Sequence, residues 1–300
     1  MRFALSILLL LVFVSCTKEV DLDQPFYERQ IVVDGYIETD RPAHVFLTLS
    51  TPYLTHYDSA SIRSSFLNYA KITLSSSKGE DEVLTIFREK AFFPPFVYKS
   101  VEMKGEEGVQ YDLKVEVFGR TITAVTTIPE VLPIEETRVK ATSDTTGFLE
   151  FAVKPSGQKI HYYFSRIASR LEDDDLHPSY EPMELIKGEG GNLIWNRLLR
   201  STETSLYLED SVSDFYSDYP RFEYDLRDTV KLMVGTVDSV SYKVLNSLFT
   251  DRANQENPFA FNGNSIQSNI KDGIGRWTGI GISGVKEVVL KEQPSAGDME

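Results

Sequence analysis

One thiol, one acidic run, one aromatic cluster and four histidines are the places in this chain where chemistry could be done. The thiol is Cys16, and with no second cysteine in the sequence there is no internal disulfide, zinc ribbon or iron–sulfur cluster. Ahead of it lie Arg2, an apolar run from Phe3 to Val14 broken only by Ser6, and the small residue Ser15. A basic start, an apolar stretch shorter than the roughly 20 residues of a membrane span, and a small residue before cysteine are the parts of a lipoprotein leader. Cleavage is expected between Ser15 and Cys16, which makes Cys16 the lipidation site.

The acidic run Glu172-Asp173-Asp174-Asp175-Leu176-His177 gathers ligands for a hard cation such as calcium, and Asp173, Asp174, Asp175 and His177 are the metal candidates. Their spacing matches no calcium loop, and a hydrated loop whose like charges face water is the competing reading. Tyr216, Tyr219, Phe222 and Tyr224 stand among Asp214, Asp218 and Asp225. Aromatic faces beside carboxylates bind sugars, peptides or cations by stacking and cation–π attraction, while packing at a sandwich edge explains the same cluster without a ligand. The histidines, His44, His56, His161 and His177, have no spacing that builds a zinc site or a triad. His161 lies in a strand pattern, where a solvated face is the expected place for it. Gly281-Ile282-Ser283-Gly284 lacks the second glycine of a nucleophile elbow. The glycines from 273 onward do not form a dinucleotide-binding arrangement. No catalytic residue and no cofactor is assigned, and the chain is not expected to be an enzyme.

Charge narrows the partners. Without residues 1–15 the chain loses one basic residue, Arg2, and 30 Lys+Arg face 45 Asp+Glu, a formal charge of −15. Such a body repels phosphate backbones, which argues against nucleic acid and leaves membrane attachment to the acyl chains.

The elements that position these groups are mainly β. From Arg29 to Ile128 polar and apolar residues alternate in short segments, most plainly in Tyr111 to Val117, where Tyr111, Leu113, Val115 and Val117 share one face. Ile31 to Ile37, His44 to Ser50, Lys71 to Ser75, Val83 to Phe87 and Thr121 to Ile128 read the same way. About seven short strands in about 100 residues is the count of an immunoglobulin-like sandwich, and Gly108 followed by Tyr111 predicts its tyrosine corner. Pro129 and Pro133 interrupt the pattern and mark a domain boundary. Strands resume at Thr137 to Ala141, Phe148 to Val153 and Ile160 to Ile167, followed by an irregular stretch from Leu171 to Pro220. Val230 to Val234 alternates again. One helix follows, near 238–253, capped by Asp238 or Ser239 and carrying Tyr242, Leu245, Leu248 and Phe249 as the stripe that packs on the sheet. A Gly-rich loop and a closing strand, Val285 to Leu290, end the fold. The expected organisation is a leader over 1–15, a lipidated tether over 16–28, an immunoglobulin-like β-sandwich over 29–130, a second β-rich domain with one packed helix over 131–292, and a tail over 293–300.

The C-terminal stretch carries a resemblance. A helix with Tyr242 and Leu245, then Asn257-Pro258-Phe259, Ser268-Asn269-Ile270, Gly273-Ile274-Gly275 and Trp277 resembles the signature of the lipoprotein family known as domain of unknown function 4249. Ile31-Val32-Val33-Asp34-Gly35-Tyr36-Ile37 and Thr126-Thr127-Ile128-Pro129 are similar to it as well, so that the likeness spans nearly the whole mature chain. The resemblance implies an outer-membrane lipoprotein of Bacteroidota, frequently encoded beside a TonB-dependent receptor, and it hands over no catalytic residues. The acidic tract from Thr17 to Asp23 resembles the sorting signal that sends such lipoproteins to the outer face of the outer membrane, and a plain spacer is the alternative. On this reading the protein is an accessory or ligand-capture subunit of a TonB-dependent β-barrel transporter, anchored in the outer membrane by its acyl chains. A structural or adhesive envelope protein with no small-molecule ligand is the alternative from a different class.

Overall fold

Alternation of side chains along the first strand sets up the whole arrangement. β1 (Ile31–Glu38) buries Ile31, Val33 and Ile37 on one face and turns Val32, Asp34, Tyr36 and Glu38 to the other. The computed structural model describes residues 28–51, 58–90, 94–155, 160–171, 174–178, 183–186, 192–198, 223–255 and 266–290. β2 (Pro42–Leu49) pairs antiparallel with β1. A short helix, α1 (Ser59–Ser64), follows, opened by a capping box between Asp58 and Ser61. Next come β3 (Lys71–Ser76), β4 (Asp81–Val83), β5 (Thr85–Arg88), β6 (Phe96–Lys104), β7 (Gln110–Val117) and β8 (Arg120–Thr127). The segment expected as one strand from Val83 to Phe87 is split at the buried Leu84, with β4 ending one sheet and β5 ending the other. β6 was not legible behind Pro94 and Pro95, yet it lies between β2 and β5.

The tyrosine corner forms as expected. Tyr111 is buried, its hydroxyl donates to the Lys104 carbonyl at 3.1 Å and accepts from the Glu106 amide at 2.9 Å, and the turn before β7 is thereby tied down.

Beyond Pro129 the chain builds a second pair of layers. β9 (Ile134–Ala141) and β10 (Thr146–Val153) form a hairpin joined by β14 (Ile194–Arg197) and β15 (Tyr224–Asp225). Opposite it lie β11 (Ile160–Ser169), with β12 (His177–Pro178) and β13 (Met183–Ile186) on its edge, and β16 (Thr229–Val237). The stretch expected to be irregular from Leu171 to Pro220 thus contributes β12, β13 and β14 among its described residues. Leu149, Phe151, Val153, Tyr163, Leu232 and Val234 fill the space between these layers. His161, expected on a solvated face, is buried where β13 pairs with β11.

α2 (Ser239–Gln255) is capped by Asp238, whose Oδ1 accepts from the Ser241 amide at 2.7 Å, and it packs on the sheet as predicted. The Gly-rich segment after it is not a loop. It forms β17 (Ile270–Lys271) and β18 (Ile274–Ile282), before β19 (Lys286–Val289) closes on β16. β18 runs parallel to β1 in seven consecutive residue pairs, and β17 pairs with β8, so this segment sits in the first sandwich although the expected organisation placed it in the second domain. The glycines are there because backbone crosses backbone: a Cβ on Gly279 would lie 2.8 Å from the Thr127 carbonyl carbon, and one on Gly275 would lie 2.0 Å from the Val33 carbonyl oxygen. Between them Trp277, fully buried, fills the sandwich core and donates its indole N–H to the Tyr111 carbonyl at 3.0 Å. β18 also touches β16 at Gly235–Ile282 and Thr236–Gly281, which makes a continuous sheet of ten strands among the described residues.

Candidate functional site: a cleft between the long sheet and its helix

The face of β1 turned away from the sandwich core carries Val32, Asp34, Tyr36 and Glu38, and pairing decides what stands beside each. The parallel register sets Arg276 next to Asp34 and Ile280 next to Glu38, while β2 sets His44 next to Tyr36. β11, on the far side of β16, adds Phe164 and Arg166. α2 lies over this face with Tyr242 against Tyr162, ring centroids 4.6 Å apart, and Leu245 buried among Phe164, Val237 and Ile280. Sheet and helix enclose a cavity of about 700 Å³. Val244, Leu245, Leu248 and Phe249 form its apolar wall, and Ile266 and Leu176 line it as well. Asp34, Tyr36, Arg41, Arg166, Gln267 and Arg276 form its polar part.

The polar part is an ordered set of charges. Glu38 is almost wholly buried, with Arg41 Nη1 at 2.9 Å from Oε2 and Arg166 Nη1 at 2.6 Å from Oε1. Two guanidiniums around one buried carboxylate leave a surplus positive charge there. Arg276 donates through Nε to Asp34 Oδ1 at 2.6 Å. Among the described residues of this group three arginines face two carboxylates, a local positive surplus in a chain of formal charge −14. Tyr36 stacks on His44 with centroids 5.2 Å apart and planes 8° from parallel. Burial, and then the charge of Glu38, push the Tyr36 phenol above its ordinary pKa. Burial holds His44 below the usual imidazole value. Its Nδ1 lies 3.0 Å from the Pro42 carbonyl.

The described site candidates singled out from sequence do not line the cleft, although Leu176, between Asp175 and His177, does. Tyr224 is buried in the core of the second pair of layers, with Phe151 and Tyr163 in the same cluster. Asp174 is exposed at φ 60° and pairs with Lys231 at 2.6 Å, Asp175 is exposed, and His177 belongs to β12 opposite Ile167. No group of three or more metal-ligating side chains occurs among the described residues. Cys16, Asp173, Tyr216, Tyr219 and Phe222 lie outside the described residues. Sequence reasoning missed Asp34, Arg41, Arg166 and Arg276. The alternation that put Asp34 and Tyr36 on one face was readable, but Arg276 reaches Asp34 from 242 positions away on a strand expected as a loop, and Arg166 reaches Glu38 from β11.

The fold and the cleft define a class: a mainly β protein of two facing-sheet units, immunoglobulin-like in its tyrosine corner, sharing one long sheet with a helix laid over a charged cavity. The chain belongs to the family described as domain of unknown function 4249, whose model matches residues 17–283. No curated protein matches it. Among solved structures, a two-fibronectin type-III domain segment from chicken tenascin pairs with 70% of this chain and 91% of its own length at 7% identity. The TM-score of that pairing is 0.20, too low to carry an argument. No helix among the described residues is long and apolar enough to cross a membrane.

Proposed function

We propose that this protein is a lipid-anchored capture protein of the bacterial outer membrane, tethered through Cys16, that holds a small ligand in the cleft beneath α2 for a TonB-dependent β-barrel receptor. The observation that carries the capture reading is the cleft itself. Its volume of about 700 Å³ falls within the roughly 300–1,000 Å³ of small-molecule sites, and it joins an apolar wall to a few converging polar groups. The anchor is supported by the leader-like residues before Cys16. The partner is supported by the family resemblance alone.

The test is purification of the lipidated protein from solubilised outer membranes, with mass spectrometry of what accompanies it. The expected result is a diacylated Cys16, a β-barrel receptor in the same complex and a small molecule released on denaturation. An unmodified thiol refutes the anchor, and repeated purification with neither barrel nor small molecule refutes the capture function.

A further inference from the structure

Resting on the capture reading, we infer that the cleft takes an amphipathic carboxylate, its head on Arg276 and its apolar body along α2. The first observation is the charge count. Among the described lining residues and their ion-pair partners, Arg41, Arg166 and Arg276 against Asp34 and Glu38 leave one positive charge in surplus, which a singly charged carboxylate neutralises. A phosphate monoester, at about −1.5 to −2 near neutrality, would overcompensate it. A cationic ligand would add to the surplus.

The second observation is a surplus of donors. A guanidinium offers five N–H groups in a planar fork suited to two parallel hydrogen bonds with a carboxylate. Arg276 spends Nε on Asp34, and its terminal nitrogens have no acceptor among the described residues. Its side chain is 30% exposed and lines the cavity, so the fork is accessible from the cleft. Asp34, 50% exposed, is the one carboxylate among the described residues that competes with a ligand for this arginine. Arg166 is committed differently, at 2.6 Å from the buried Glu38 and with its guanidinium over the Phe164 ring, and it supplies field more than direct bonds.

The third observation is the wall opposite. Val244, Leu245, Leu248 and Phe249 offer no hydrogen-bonding side chain, so a small inorganic anion would leave that surface wet, whereas a hydrocarbon tail or apolar side chains would cover it. A sugar's hydroxyls would find no hydrogen-bonding side chain on these four residues.

One chemistry, a carboxylate on an apolar body, has two sources: a fatty acid or the C-terminus of an apolar peptide. Isothermal titration calorimetry on the mature chain carrying Cys16→Ser separates them. Laurate is compared with dodecanol and dodecylammonium below their aggregation concentrations, and N-acetyl-Leu-Phe with its amide. The expected result is that one acid binds at least about tenfold more tightly than its neutral counterpart, the step a charge-assisted hydrogen bond supplies. Which acid does so names the source. Arg276→Gln is expected to abolish the preference, and Asp34→Asn, which removes the competitor, to tighten the acid. Equal binding of acid and neutral forms overturns the inference, as does a preference that survives Arg276→Gln. If dodecanol still binds and Leu248→Trp blocks it, the capture reading stands without its carboxylate. If none of the probes binds, the carboxylate inference falls, and the capture reading then rests on its own membrane purification.

Discussion

Residues 28–130, separated from the rest of the chain, are expected not to fold, although the sequence presents them as a complete sandwich. The reason is β18. In the intact protein seven residues of β1, Val32 to Glu38, pair with Ile274 to Ile280, and Trp277 occupies the sandwich core with no solvent exposure. A buried tryptophan removes roughly 150–250 Å² from water, worth about 4–6 kcal/mol at about 25 cal/mol per Å² and an upper bound on that scale. That one side chain approaches the 5–15 kcal/mol that typically separates folded from unfolded domains. Its loss would be joined by the exposure of one whole edge of β1. The fragment contains no tryptophan, so a synthetic peptide spanning residues 266–290 brings Trp277 as the sole indole. The assay is titration of fragment 28–130 with that peptide, read by amide dispersion in NMR and by the Trp277 emission maximum. Collapsed amide dispersion without peptide, and a blue shift with recovered dispersion on adding it, are expected. A fragment that melts cooperatively on its own with native-like dispersion refutes the reasoning and returns β18 to the status of an accessory strand.

Three further outcomes follow from local geometry. Tyr111→Phe removes a hydroxyl that both donates to Lys104 and accepts from Glu106, and is expected to cost about 1–3 kcal/mol in chemical denaturation, with little change in the slope of the transition. An unchanged midpoint would show the corner to be ornamental. Glu38→Gln strips the counterion from the mostly buried Arg166 and the half-exposed Arg41, and about 1–3 kcal/mol of lost stability is expected in the same measurement. Glu150 supplies a pH dependence. Burial alone would raise its carboxyl, but hydrogen bonds from Arg138 and Lys140 outweigh burial and hold it below the ordinary glutamate value. A folded pKa lower than the unfolded one stabilises the protein fully above the unfolded value, and that contribution is lost as pH falls through the folded value. Thermal melts as pH falls through and below the ordinary glutamate range, about 4.5, are therefore expected to show a decline that is shallower when Arg138 and Lys140 are both changed to alanine. An identical decline in the double variant contradicts the assignment.

Much of the architecture was present in the order of residues. Period-two alternation located β1, β7, β8 and β16, because an element half exposed to water must write its two faces into successive positions. Tyr111 announced its corner and Asp238 its cap, since both act on backbone groups only a few residues away. β18 was illegible for the opposite reason. Its interior is lined with glycine because Val33 and Thr127 approach it from elsewhere in the chain, and a glycine required by a distant backbone looks in sequence like a glycine required by a turn. The cleft inherits that blindness. Asp34, Arg166 and Arg276 are each an ordinary polar residue on a strand until the parallel pairing of β1 with β18 and the reach of β11 across β16 bring them under one helix. Local chemistry determined the strands, the caps and the thiol. Asp34 and Arg276 came together only through hydrogen-bonded register between segments some 240 residues apart, and register is a property of the assembled sheet.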